Sequence, residues 1–84
     1  MITIRYFASL REKLGEHDTV ALHELAHPTV GGVRLALMAR SPLHAESLVL
    51  TAGIRSSCNH ELCDDSHPVA EGAEVAFFPP VTGG

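Results

Sequence analysis

Basic residues are scarce in this chain: six lysines and arginines face ten acidic residues, for a formal net charge of -4 with the histidines neutral. The six do not cluster, so the cationic footprint of a nucleic-acid binder is missing. A mildly acidic surface instead favours approach to a basic protein partner. Cysteine is rarer still, with only Cys58 and Cys63. Two thiols are too few for a disulfide framework, and in a reducing compartment both stay free. No apolar run approaches the roughly 20 residues that span a bilayer, which excludes a transmembrane helix and a membrane partner. The opening Met1-Ile2-Thr3-Ile4-Arg5-Tyr6 carries no basic leader and no cleavage site, so a cytoplasmic location is expected.

What the chain does contain is enough for one core. Its 84 residues, 45% hydrophobic, exclude disorder and bound the protein to a single small domain. Ile2, Ile4 and Tyr6 alternate with Thr3, Arg5 and Phe7, the period of a half-buried strand over residues 2–7. Residues 8–14 form a short helix closed by Gly15, and residues 18–22 a second strand antiparallel to the first. Thr29 caps the main helix, whose apolar stripe Val30, Val33, Leu37 and Met38 runs to about Arg40. Gly31-Gly32 weakens its first turn by about 1 kcal/mol per glycine relative to alanine. Ser41-Pro42 starts a further helical turn to Ser47. Residues 54–59 and 62–63 read as strands around a tight turn, and 74–78 as the last strand, ended by Pro79-Pro80. This order predicts an α+β domain with one main helix across a mixed sheet.

Two constellations suggest metal chemistry and fail on context. His23-Glu24-Leu25-Ala26-His27 matches H-E-x-x-H, which binds zinc only when both histidines share one helical face. Pro28 pushes His27 out of helical geometry, so the match reads as coincidence. Cys58, His60, Cys63 and His67 could supply four zinc ligands, but one pair straddles a tight turn and His67 precedes a proline. Cys58 points inward on a strand reading, as free cysteine commonly does. Cys63 is a poor nucleophile, because Glu61, Asp64 and Asp65 would raise its pKa. No metal site is expected.

The aromatic residues are more informative. With Val75 and Phe77 in the core, Phe78 faces out, and Phe7 lies on the outward face of the first strand. Leu62 can join them. Exposed apolar side chains on one sheet face form a docking patch, unless an edge helix or the tail covers them. The chain then finishes Phe77-Phe78-Pro79-Pro80-Val81-Thr82-Gly83-Gly84. Two terminal glycines add freedom and nothing to bury, so by default they fray. They make sense if the Gly84 carboxylate is the working group. Pro79-Pro80 holds the exit extended and lowers the entropy lost on docking. Gly83-Gly84 lets a partner's backbone close around a carboxylate that ATP-dependent adenylation can make electrophilic.

In Glu74 to Gly84 the chain resembles the MoaD-type sulfur carriers, the small subunits of molybdopterin synthase in the MoaD/ThiS ubiquitin-like family. The resemblance continues through Asn59, Leu62 and His67-Pro68. It reappears in Phe7-Ala8, Leu10-Arg11-Glu12, Gly15 and Pro28-Thr29-Val30, and is least specific over residues 16–27 and 39–55. It implies a β-grasp, ubiquitin-like fold over residues 1–84, with 79–84 a flexible functional tail. It implies that a ubiquitin-activating-type adenylyltransferase consumes ATP to adenylate Gly84, and that a sulfur-donating enzyme converts it to a thiocarboxylate. The tail, Pro79, Pro80, Val81, Thr82 and Gly83, then enters the large subunit of a heterotetrameric synthase and gives sulfur to cyclic pyranopterin monophosphate. By position, Phe7, Leu62 and Phe78 match the family's docking face, and no cofactor is bound. Gly31-Gly32 and Ser57-Cys58-Asn59 depart from the pattern and bear on rigidity, not on the tail. Alternatives are a carrier for thiazole or tRNA thiolation, a ubiquitin-like protein modifier joined to lysine through Gly84, and a binding domain that carries nothing.

Overall fold

Alternation from the first strand onward sets up one buried sheet face. In the computed structural model, which describes residues 1–49 and 52–80, β1 (Ile2–Tyr6) buries Ile2, Ile4 and Tyr6 against the helices. It stops one residue short of the alternating run because Phe7 becomes the extended residue that leads into α1 (Ala8–Leu14). Ala8 makes the corner in the left-handed region, at φ 52°. Gly15 closes α1 at φ 95°, its N–H donating to the Arg11 carbonyl at 3.0 Å, as expected for a glycine at a helix end. β2 (His17–Val20) begins one residue earlier than the 18–22 reading and ends two earlier. Leu22 instead opens a single 3-10 turn, Leu22–Glu24, that carries the chain off the sheet edge.

The main helix, α2 (Val30–Met38), starts where its cap predicts, with Thr29 Oγ1 accepting from the Gly32 N–H at 3.1 Å. Val30, Val33 and Leu37 are fully buried, and Met38 packs against the same core. The Gly31-Gly32 pair has a packing reason. A β-carbon on Gly32 would stand 1.9 Å from the His27 carbonyl oxygen, and one on Gly31 3.0 Å from that of Asp65. Gly31 also donates its N–H to Asp65 O at 2.8 Å. The glycines let two loops close on the helix start, so the helix is anchored there, not loose.

Ser41 caps α3 (Pro42–Leu48), accepting from the His44 N–H at 3.0 Å with Pro42 in the first turn. β3 (Arg55–Cys58) and β4 (Glu61–Cys63) flank Asn59-His60. Both turn residues have positive φ, 50° and 71°, the two-residue hairpin geometry that follows strand twist. β5 (Glu74–Phe78) completes a sheet of order β2-β1-β5-β3-β4, in which the central β1–β5 pair is parallel and the other pairs are antiparallel. This is the α+β, mixed-sheet arrangement expected from the element order. The core joins Ile2, Ile4, Tyr6, Val20, Val75 and Phe77 of the sheet to Leu10, Val30, Val33, Leu37 and Leu48 of the helices. Each large side chain so buried contributes roughly 1.5–3 kcal/mol.

Candidate docking face and tail root

Burying Val75 and Phe77 leaves Ala76 and Phe78 on the opposite sheet face. Phe78 pairs with Arg55 across β5–β3 and lies one step past the Tyr6–Phe77 pair of the parallel ladder, which brings it beside Phe7. The Phe7 N–H donates to the Phe77 carbonyl at 3.1 Å, so the two aromatic positions are locked in register. Phe7 is 47% exposed, Leu62 is 64% exposed, and Phe78 is half-buried. Leu62 pairs with Ser57, which pairs with Ala76. Leu62 is therefore two strand spacings from β5, roughly 10 Å, across small side chains. The structure brings Phe7 and Phe78 together and holds Leu62 at the far side of the same face.

The tail leaves from β5 at this edge. Pro79 is half-buried and Pro80 exposed. The Pro80 ring lies 3.6 Å from where a β-carbon on Gly53 would sit, so the loop before β3 runs beside the root of the tail. Val81, Thr82, Gly83 and Gly84 lie outside the described residues. Asn59, the motif residue of the β3–β4 turn, fixes the start of β5. Its Oδ1 accepts from the Glu74 N–H at 3.0 Å, and its own N–H donates to Glu74 O at 2.8 Å. His67-Pro68 serves the other end of the fold. The His67 carbonyl accepts from Val30 N–H at 2.9 Å, and Thr29 bridges to Pro68.

The histidine and cysteine constellations do not assemble. His23 and Glu24 lie in the 3-10 turn and His27 beyond it, all exposed. Cys58 is buried in the core, whereas His60 projects outward to 3.6 Å from Glu74. Among the described residues no group of three or more His, Cys, Asp or Glu is placed to hold a metal ion. Burial pushes the Cys63 thiol up, with Asp64 and Asp65 adding to the shift. Asp64 and Asp65 contribute as expected and Glu61 does not, and desolvation is the larger cause.

Two features escaped the sequence reading. Arg34 sits inside the apolar stripe of α2, only 4% exposed, with its guanidinium 5.3 Å from the centre of the Phe77 ring. Its Nη1 donates to the Leu48 carbonyl at 2.8 Å and its Nη2 to Asp65 Oδ1 at 3.1 Å, while Nε has no partner among the described residues. It ties α2, the end of α3 and the 64–67 loop to the strand that carries the tail. A cation four residues after Val30 on the buried stripe was the available signal. Elsewhere, Tyr6 donates to Asp18 Oδ2 at 2.7 Å, and His44 Nε2 meets the same oxygen at 3.1 Å. His44 Nδ1 meets Ser41 Oγ at 2.8 Å. This Ser-His-Asp chain is architectural, because Ser41 Oγ is committed to capping α3. Burial, with the Asp18 bond second, raises the Tyr6 pKa far above its usual value.

The fold and this face define a ubiquitin-like β-grasp domain with an apolar sheet face beside a C-terminal tail. The pattern of the ThiS family matches residues 4–84. The chain is also 40% identical, over all of both chains, to the molybdopterin synthase sulfur carrier subunit of Escherichia coli (strain K12). It belongs to the ThiS family of MoaD/ThiS ubiquitin-like proteins, in agreement with the resemblance of its sequence. Among solved structures it is similar to SAMP1 from Haloferax volcanii, with 27% identity, TM-score 0.70, and coverage of 99% of this chain and 98% of that one. A subunit in the complex of subunits 1 and 2 of molybdopterin-converting factor from Helicobacter pylori 26695 shares the fold. There the TM-score is 0.64, the identity 21%, and the coverage 99% and 97%.

Proposed function

We propose that this chain is the sulfur carrier subunit of a molybdopterin synthase, acting in the cytoplasm. The observation that carries the proposal is its full-length similarity, at 40% identity, to a curated protein of that name. The exposed Phe7 and Leu62 and the half-buried Phe78 supply an apolar face for a larger partner subunit beside the tail root. The Gly84 carboxylate attacks the α-phosphate of ATP in an activating enzyme, releasing pyrophosphate. Hydrosulfide supplied by a donor enzyme attacks the acyl-adenylate, the C–S bond forms as the C–O bond to AMP breaks, and loss of the S–H proton to solvent leaves a thiocarboxylate. Pro79 to Gly83 thread this group into the large subunit, where it gives sulfur to cyclic pyranopterin monophosphate. The carrier contributes the cargo and the docking face, and the catalytic side chains belong to its partners. Removing Gly84 is expected to leave the packed core intact and to abolish sulfur transfer in a reconstituted synthase. A truncated chain that still supports molybdopterin formation would refute the mechanism.

A second reading has an observation of its own. Crystal structures named for small archaeal modifier protein 1 match this chain at TM-scores of 0.70 and 0.72. A ubiquitin-like modifier would use the same adenylated Gly84 but pass it to a lysine amine. Isopeptide adducts that accumulate in extract and disappear without Gly84 would favour this route over sulfur delivery.

A further inference from the structure

The outer sheet face carries a charge that the other described residues leave unanswered. Four of the six basic residues are spent on acids of this chain. Arg5 lies 3.5 Å from Glu74, Arg11 3.9 Å from Glu16, Arg34 3.1 Å from Asp65 and Arg40 3.6 Å from Asp18. Lys13 and Arg55 form no ion pair among the described residues. Lys13 is an exposed residue of α1, away from β3 and β5 in sequence. Arg55 is different. It is the partner of Phe78 in the β3–β5 register and lies two residues after Gly53, the residue beside the Pro80 ring. Arg55 also borders a hollow of about 400 Å³ that it shares with Arg34, Ser56, Cys63, Asp64 and Asp65 and that does not include Phe78, yet neither aspartate forms an ion pair with Arg55.

A partner that covers Phe78 must also strip water from part of Arg55. Desolvating a guanidinium without a counter-charge is costly enough to cancel the gain from burying the ring. The cost is avoided if the covering surface carries a carboxylate, whose two oxygens match the guanidinium fork. Resting on the docking face proposed above, we infer that the subunit receiving the tail presents an aspartate or glutamate opposite Arg55, at the rim of the apolar hollow that takes Phe78. Arg55 then sets the register of docking and steers the approach. This reverses locally what the net charge of -4 suggests, since the contact at the tail root meets an acidic patch and not a basic one.

The test measures binding of the full-length chain to its large subunit at low and at physiological ionic strength, with association rates followed by stopped flow. Phe78→Asp, Arg55→Glu, Arg55→Gln and Lys13→Glu are compared with the wild type, and circular dichroism melting confirms that each is folded. Arg55→Glu is expected to bind about tenfold or more weakly, mainly through slower association, and to lose the salt sensitivity of the wild type. Arg55→Gln falls between the two, and Lys13→Glu stays within about twofold of wild type on the same grounds. If Phe78→Asp abolishes binding while Arg55→Glu keeps wild-type affinity and salt slope, the docking face stands and the inference about Arg55 is overturned. Tighter binding by Arg55→Glu overturns it as well, by showing a basic surface there. If Phe78→Asp binds as wild type, the docking face itself is wrong, and this inference falls with it.

Discussion

Arg34 and Tyr6 are polar side chains committed to the core, and each makes a separate prediction. Arg34→Met keeps an unbranched apolar stem but leaves the Leu48 carbonyl without its donor and Asp65 without its counter-charge. A loss of about 2–3 kcal/mol is expected by urea denaturation, between the cost of an orphaned buried acceptor and that of a broken buried pair. A neutral substitution would mean that the guanidinium bonds contribute nothing net. For Tyr6, burial and the bond to Asp18 raise the folded pKa, while the unfolded phenol ionises near its usual value of about 10. The unfolded chain therefore releases its proton first. The stabilisation is complete below about pH 10 and is lost above it, by about 1.4 kcal/mol for each pH unit. Cys58 and Cys63, also raised by burial, add a decline of the same sign. Subtracting the Tyr6→Phe profile isolates the tyrosine part, and parallel urea midpoints for the two proteins from pH 9 to 11 would exclude it.

At the scale of elements, α2 gives the sharpest contrast between propensity and packing. Helix propensity alone says that Gly32→Ala adds about 1 kcal/mol of stability. The His27 carbonyl, 1.9 Å from the new methyl position, says the opposite. Because the obstacle is backbone, a loss of roughly 1–3 kcal/mol is expected, read as a lower thermal midpoint. Gly31→Ala, at 3.0 Å from Asp65 O, costs less. Helix starts were legible in the sequence wherever a local side chain makes them, as Thr29 and Ser41-Pro42 do. The alternation of β1 and the stop at Pro79-Pro80 were legible for the same reason. What sequence spacing could not supply were contacts set by distant segments. The glycine pair answers to His27 and Asp65, Arg34 to Leu48 and Asp65, and Leu22 leaves β2 for a turn despite its apolar character. The proposed docking face falls between these cases. Strand parity alone exposed Phe7 and Phe78, but only the parallel β1–β5 register makes them neighbours.

For the molecule as a whole, the fold joins three things at one edge: the end of β5, the aromatic pair and the root of the tail. Arg34 braces this edge from the core side, through its contact with Phe77. Among the described residues there is no metal cluster, and no helix long and apolar enough to cross a membrane. The chemistry proposed for this chain is that of Gly84 and of the partner proteins proposed to dock beside it. The central claim is that Gly84 carries sulfur, and intact-mass spectrometry tests it most directly. The purified chain is incubated with its activating enzyme, ATP and a sulfur donor, and the modified fragment is then mapped. The account predicts the mass gain of one oxygen-to-sulfur exchange, confined to the C-terminal peptide and absent when ATP or Gly84 is omitted. An unchanged mass under conditions where the activating enzyme consumes ATP, or sulfur found on Cys63 in place of Gly84, would contradict it.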